Sequence, residues 1–328
     1  MLVCHERHDV IRHKGHHSAS KNPWLSQRGT NSTKESSAKI THTLKIILVH
    51  GFTQNAECMS PFANELEIAL RAVPKSAPLS NSHEEDPVAS PIPQLEPLPA
   101  TTSTSTSTPS LALYRFSPSI YGIDLPGHGM SSSIETGPWE TARLLGEAFG
   151  RGIYIGYSMG ARICLHLALS YPELVEALVL ISASAGIEND NVRQARKSSD
   201  DEMAKALDEG RPDLATFLER WTEQPLFSTL PDHAKMTEQR MANTPSGLAS
   251  SLRLCGAGVC DPLWSQLGAL KMPVHCFAGT LDSRYTYYAL RMARLIGANA
   301  TVSLIPSAGH ACYMERPKLV SSLISNLI

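Results

Sequence analysis

Tyr154-Ile155-Gly156-Tyr157-Ser158-Met159-Gly160 decides how the rest of the chain is read. It runs from a strand-like end into a Gly-x-Ser-x-Gly turn, and a helical run, Ala161-Arg162-Ile163-Cys164-Leu165-His166-Leu167-Ala168, follows at once. A side chain held on a strained turn between strand and helix needs neighbours without Cβ atoms, so that the backbone can close. The spacing predicts Ser158 standing exposed at the carboxyl edge of a sheet. The same five residues also arise by chance in loops, so their meaning depends on what surrounds them.

The chain has 328 residues, 42% of them hydrophobic, which is enough for one large core with additions. A formal charge of -2 gives no electrostatic footprint for nucleic acid or an anionic membrane. No stretch approaches the roughly 20 apolar residues of a membrane span. Seven cysteines without C-x-x-C spacing indicate neither a disulfide framework nor a zinc site. A reducing, intracellular setting is therefore expected, cytoplasmic or plastid, with a soluble protein and no metal or other cofactor.

Residues 1 to about 42 are polar, rich in His, Ser and Lys, and lack the apolar core of a secretory signal. They are expected to form a disordered tail. Their histidines suit either a metal tract or solvated side chains, and the second reading is preferred where nothing else is ordered. Order is expected to begin at Leu44-Lys45-Ile46-Ile47-Leu48-Val49, a β-branched run suited to a strand buried on both faces. A helix over Met59–Ala72 follows. Residues from 74 to about 110 hold eight prolines and an alternating Ser/Thr repeat, and they are read as a disordered insertion.

Strands are then expected at Ser119–Asp124, before Ser158, at Val175–Ser182, at Pro273–Ala278 and at Thr301–Ile305, with helices between them. Such alternation implies a mostly parallel sheet with helices on both faces. From about Gly186 to Ala257 the alternation stops. Val192–Leu207, Asp213–Trp221 and His233–Ala242 read as consecutive amphipathic helices, placed to cover Ser158 as a lid. The expected organisation is a tail over 1–42, a first core segment over 43–186, a helical lid over 187–257 and a second core segment over 258–328.

A serine hydroxyl is a weak nucleophile or base unless an imidazole takes its proton and a carboxylate orients that imidazole. Asp282, just past the strand that ends at Ala278, and His310, just past the last strand, share the sheet edge that presents Ser158. Ser158, Asp282 and His310 are thus the candidate catalytic residues. Charge developing on a substrate oxygen needs backbone donors, and the N–H groups of Phe52 and Met159 are the candidates. His50 reads as a turn residue beneath the site.

Val49-His50-Gly51-Phe52-Thr53-Gln54, Asp124-Leu125-Pro126-Gly127-His128-Gly129 and Ala308-Gly309-His310 resemble the α/β-hydrolase superfamily, whose triads also follow the order Ser, Asp, His. Further segments are similar to one enzyme family within it, the 2-succinyl-6-hydroxy-2,4-cyclohexadiene-1-carboxylate synthases of menaquinone and phylloquinone biosynthesis. These are Gly156–Arg162, Arg193-Gln194-Ala195-Arg196 with Asp200, Phe217–Trp221, Gln224–Phe227, Gly247–Arg253 and Asp282–Tyr285. The resemblance covers about residues 44–72 and 119–328.

The resemblance implies a lyase that removes pyruvate from 2-succinyl-5-enolpyruvyl-6-hydroxy-3-cyclohexene-1-carboxylate, with the triad serine acting as a base. A small-molecule polycarboxylate of this kind needs cations, and guanidinium groups bind carboxylates bidentately while staying charged. Arg162, one helical turn past Ser158, is near the active-site face on spacing alone. By resemblance Arg196 and Arg240 approach from the lid, and Trp221 and Tyr157 line the pocket. Two other readings stand beside this one. A serine hydrolase of an ester or carbon–carbon bond would use the same triad, and a non-catalytic scaffold is argued against by the three intact residues.

Overall fold

The computed structural model describes residues 45–73, 110–117 and 119–328. The tail over 1–42 and the insertion over 74–109 lie outside the described residues. Within them, the first apolar run forms β1 (Ile46–Val49), and α1 (Ser60–Ala72) packs Phe62, Ala63 and Leu66 inward. A short strand β2 (Leu113–Arg115), then β3 (Ile120–Ile123), α2 (Pro138–Phe149), β4 (Gly152–Tyr157), α3 (Met159–Ser170) and β5 (Val175–Ile181) complete the first half. Four helices follow: α4 (Asp190–Asp208), α5 (Leu214–Thr222), α6 (Thr237–Arg240) and α7 (Pro245–Cys255). The chain then returns to the sheet with β6 (Val274–Gly279), α8 (Ser283–Ile296) and β7 (Ala300–Ile305), and ends in α9 (Cys312–Glu315) and α10 (Pro317–Ser325).

The strands lie in the order β2-β3-β1-β4-β5-β6-β7. All neighbours are parallel except β2 against β3. The sheet is covered on both faces, so its central strands are largely apolar rather than alternating. One core unites Ile47, Val49, Tyr154, Leu178 and Leu180 with α2, α3 and α8. The other unites Ile46, Leu48, Ile153, Ile155 and Val179 with α1 and α10. A third, smaller cluster joins α4, α5 and α7 through Ala204, Leu207, Leu218, Leu248 and Leu252. Phe52 and Trp221 pack against it, which ties that helical layer to the loop after β1.

The mostly parallel sheet and its two helical layers agree with the sequence reading. Three details differ. The edge strand β2 was not anticipated, because three residues, Leu113 to Arg115, are too few to show a period. The expected helix over His233–Ala242 is instead a 3-10 turn, Asp232–Ala234, followed by the single turn of α6, since Met236 between them is left-handed at φ 53°. Helix α7 was not anticipated either, although Thr244 caps it by accepting from Gly247 N–H at 3.1 Å and Pro245 occupies its first position.

Candidate active site

Ser158 stands between the end of β4 and the start of α3 at φ 50°, ψ −107°. This conformation is unfavourable for a residue with a Cβ and persists only where the surroundings impose it. Gly156 and Gly160 are part of that imposition. A Cβ on Gly156 would lie 2.6 Å from the Ala161 Cα, and one on Gly160 would lie 2.3 Å from the Val49 carbonyl oxygen. Ser158 N–H donates to the Ile181 carbonyl at 2.9 Å, fixing the turn to the neighbouring strand.

Asp282 and His310 arrive from the ends of β6 and β7 at the same sheet edge. His310 Nδ1 lies 2.9 Å from Asp282 Oδ2, and His310 Nε2 lies 3.1 Å from Ser158 Oγ. Because a carboxylate only accepts, Nδ1 carries the proton and Nε2 is left to accept from the serine hydroxyl. The other Asp282 oxygen accepts from Tyr285 N–H at 3.2 Å. The His310 loop is held in turn by Ser182 Oγ, which donates to the His310 carbonyl at 2.6 Å. In this setting the Ser158 hydroxyl can pass its proton to an imidazole that is already oriented, which makes its oxygen either a nucleophile or a base.

Phe52, in the loop after β1, and Met159, at the start of α3, both border the space over Ser158. Among the described residues neither N–H finds an acceptor. The loop is pinned from below. His50 Nδ1 donates to the Gly51 carbonyl at 2.8 Å, and His50 Nε2 accepts from Leu125 N–H at 3.0 Å, which fixes a neutral tautomer. It is pinned from the side as well. Asn243 Nδ2 donates to the Thr53 carbonyl at 2.7 Å while its Oδ1 accepts from Gly129 N–H at 2.8 Å, and Asn55 Nδ2 donates to the Gln239 carbonyl at 2.7 Å.

Burial pushes the His50 pKa down from 6.5 to about 4, with a smaller push from the Arg240 charge. Between those values the unfolded chain binds more protons than the folded one. Stability from His50 is therefore full above pH 6.5, falls as the pH drops towards 4, and levels off below, a difference of about 3 kcal/mol. Urea unfolding of wild type and of His50→Gln across pH 7 to 4 is expected to show the shallower fall in the variant. Equal slopes would remove His50 from the acid sensitivity.

A cavity of about 340 Å³ opens over Ser158, lined among others by Phe52, Tyr157, Met159, Arg162, Arg196, Trp221 and His310. Arg162 comes from α3 and Arg196 from α4, so two cations from different helices border a chamber with a mostly aromatic and aliphatic lining. Arg162 Nη2 donates to the Cys255 carbonyl at 3.1 Å, whereas its Nε is buried without a partner among the described residues. Trp221 stacks edge-on to Phe52 with centroids 4.8 Å apart, and its Nε1 is likewise buried and unpartnered. Tyr157 is buried beside His310, and its ring leaves no room for a Cβ on Gly51. Burial drives the Tyr157 hydroxyl pKa well above 10, so it stays protonated.

Arg240 is placed differently from the expectation. It is 3% exposed and is not among the residues lining the cavity. Its guanidinium donates to Thr53 Oγ1 and to the Lys235 carbonyl, so it braces the Phe52 loop from behind. The reason is the broken helix: the left-handed Met236 turns α6 towards that loop rather than along the chamber. Arg193 and Arg253 pair with Asp190 and Asp208.

A family model described as the alpha/beta hydrolase family matches residues 97–323. The chain belongs to the alpha/beta hydrolase family. Within it, the chain is an enzyme of the 2-succinyl-6-hydroxy-2,4-cyclohexadiene-1-carboxylate synthase branch. It is 30% identical over 220 residues to a Bacillus subtilis (strain 168) protein named for that synthase, covering 63% of this chain and 79% of that protein. It is 28% identical over 214 residues to the synthase of Salmonella paratyphi B, covering 63% and 82%. It is also 30% identical over 223 residues to the chloroplastic protein PHYLLO of Arabidopsis thaliana, of which it spans 13%. Among solved structures, MenH from S. aureus superposes with a TM-score of 0.66 at 25% identity, covering 88% of this chain and 94% of that one.

In this α/β-hydrolase several lining residues escaped the sequence reading. Tyr285 packs edge-on to His310 with centroids 4.3 Å apart, and Phe227, Gln224, Met203 and Ser251 complete the wall. Tyr285 carried a usable signal, since it stands three residues after Asp282, where an acceptor side chain caps a helix. Among the described residues the six cysteines are free and buried, and no three metal-ligating side chains are grouped. No helix among them is long and apolar enough to cross a membrane.

Proposed function

We propose that this α/β-hydrolase eliminates pyruvate from 2-succinyl-5-enolpyruvyl-6-hydroxy-3-cyclohexene-1-carboxylate, giving 2-succinyl-6-hydroxy-2,4-cyclohexadiene-1-carboxylate in menaquinone or phylloquinone biosynthesis. The observation that carries the reading is the pair Arg162 and Arg196, which line the same largely apolar chamber as Ser158. Carboxylates buried there without cations would be prohibitively unstable, whereas an ordinary ester substrate has no use for two guanidinium groups. The names of the curated relatives supply the same chemistry.

The reaction removes the ring proton next to the succinyl ketone. Ser158, its own proton drawn to His310 Nε2 at 3.1 Å, is the base, and Asp282 holds the imidazolium that forms. The electron pair left on carbon is delocalised onto the ketone oxygen, where Phe52 N–H and Met159 N–H are the donors. It then returns through the ring as the double bonds shift and the carbon–oxygen bond to the enolpyruvyl group breaks. The departing enolate takes up a proton and becomes pyruvate, and the proton held on His310 is given up in exchange, which leaves Ser158 with the ring proton and the triad as it began. No bond from Ser158 to carbon is formed, and no acyl-enzyme accumulates. Trp221 and Tyr157 bound the ring, and Arg162 and Arg196 hold carboxylates.

Pyruvate release by purified protein, followed with a coupled lactate dehydrogenase, is the direct test. Absence of pyruvate together with rapid turnover of simple aryl esters would overturn the lyase reading in favour of a serine hydrolase. Arg162→Ala is expected to lower kcat/KM by about 100-fold, as loss of a charged hydrogen-bonding partner does. Its thermal midpoint should shift little, because the internal partners lost are the Cys255 carbonyl and the neutral Cys260 thiol, with no ion pair among them. A large fall in midpoint would make the guanidinium a structural group.

A further inference from the structure

Asp200 lies one helical turn after Arg196 on α4 and is 1% exposed. Its Oδ1 accepts from Arg196 Nε at 2.8 Å, and its Oδ2 is buried without a partner among the described residues. A Cβ on Gly256, which lines the cavity at the end of α7, would come within 2.6 Å of that oxygen. Ion pairs spaced four residues apart on a helix surface contribute little to stability, and burying a carboxylate with one oxygen unpartnered is strongly unfavourable. Helix stability therefore does not explain why this acid sits beneath the lid while its arginine stays partly in solvent.

The geometry points to Asp200 as a positioning residue, which holds Arg196 by Nε so that the Nη1/Nη2 end of the guanidinium meets one substrate carboxylate head-on. The assignment rests on the polycarboxylate reading above. A guanidinium offers a carboxylate two matching edges, one through Nε and one through the two Nη groups. With Nε occupied, the second edge is left. Arg196 borders both the chamber over Ser158 and a neighbouring outer chamber of about 500 Å³. An unbraced arginine at such a junction has many rotamers to lose on binding, and a bond at Nε removes that freedom beforehand.

Steady-state kinetics of Asp200→Asn, Arg196→Gln and the double variant of the full chain test this. Asp200→Asn is expected to raise KM about tenfold with kcat held within about twofold, and Arg196→Gln to raise KM about thirtyfold. If Asp200 acts through Arg196, the double variant matches Arg196→Gln alone. An unchanged KM in Asp200→Asn, or losses that multiply in the double variant, would overturn the assignment. Should Asp200→Asn fail to fold, Arg196→Lys decides. One ammonium cannot be held by Asp200 and also fork onto a carboxylate, so KM should match Arg196→Gln; a wild-type KM would show that charge alone suffices. If wild type releases no pyruvate, the function proposed above falls separately. Succinate binding, followed by quenching of tryptophan fluorescence, then reads the brace: weaker binding in Asp200→Asn upholds it and equal binding overturns it.

Discussion

Replacing His310 by alanine is expected to slow pyruvate release by about 10⁴-fold while KM changes less than about threefold. The imidazole is the acceptor for the Ser158 proton at 3.1 Å, and it is oriented at 2.9 Å by Asp282. Without it the hydroxyl remains protonated near neutral pH, and the donors Phe52 and Met159 have no developing charge to meet. Ser158→Ala should fall to a similar rate, and combining the two should lose almost nothing more, because the groups act as one unit. Removing His310 also leaves Asp282 Oδ2 without its donor, which should lower stability by about 1–3 kcal/mol. Ser158→Gly is expected to do the opposite: equally inactive, it should melt higher, because the φ of 50° that strains serine suits glycine. A His310→Ala protein retaining a tenth of the wild-type rate would remove the imidazole from the reaction.

Gly160→Ala is expected to be strongly destabilising. The added Cβ would lie 2.3 Å from the Val49 oxygen and 2.4 Å from the His50 oxygen. Both are backbone atoms at the end of a central strand, and neither can swing away as a side-chain tip would. Overpacking against fixed backbone should lower stability by more than about 4 kcal/mol, a large part of the 5–15 kcal/mol that ordinary domains possess. Gly150→Ala is the control. Gly150 has a positive φ, 66°, but nothing lies within 4 Å of its would-be Cβ, so only the conformational cost of about 1 kcal/mol applies. Comparable thermal melts for the two variants would refute the steric account of the turn.

The parts of this molecule that were legible in its sequence are those written in a local code. Strands buried on both faces appear as largely apolar runs, so β1, β3, β5 and β6 could be read directly, and the edge strand β7 shows as a run of β-branched residues. Ser158, Asp282 and His310 each follow such a run, and a parallel sheet delivers every strand end to one edge. What was not legible depends on short or distant geometry. Strand β2 is held by pairing with β3 rather than by any pattern of its own. The left-handed Met236, a residue without glycine's freedom, turned the expected helix into two fragments and carried Arg240 to Thr53. The walls supplied by Tyr285, Phe227 and Ser251 come from three separate segments, and only the folded chain shows that they meet.

The bonds around Asn243 have a mechanical consequence. Thr53, Gly129 and the segment from Gln239 to Asn243 are joined by Asn55, Arg240 and Asn243. The peptide that presents Phe52 N–H is thereby fastened to one end of the helical cover, and a displacement of either drags the other. Trp221 on α5 packs edge-on to Phe52 as well, so the same loop is gripped from a second helix of the cover. The Phe52 loop thus serves as a keystone on which two separate parts of the helical cover bear.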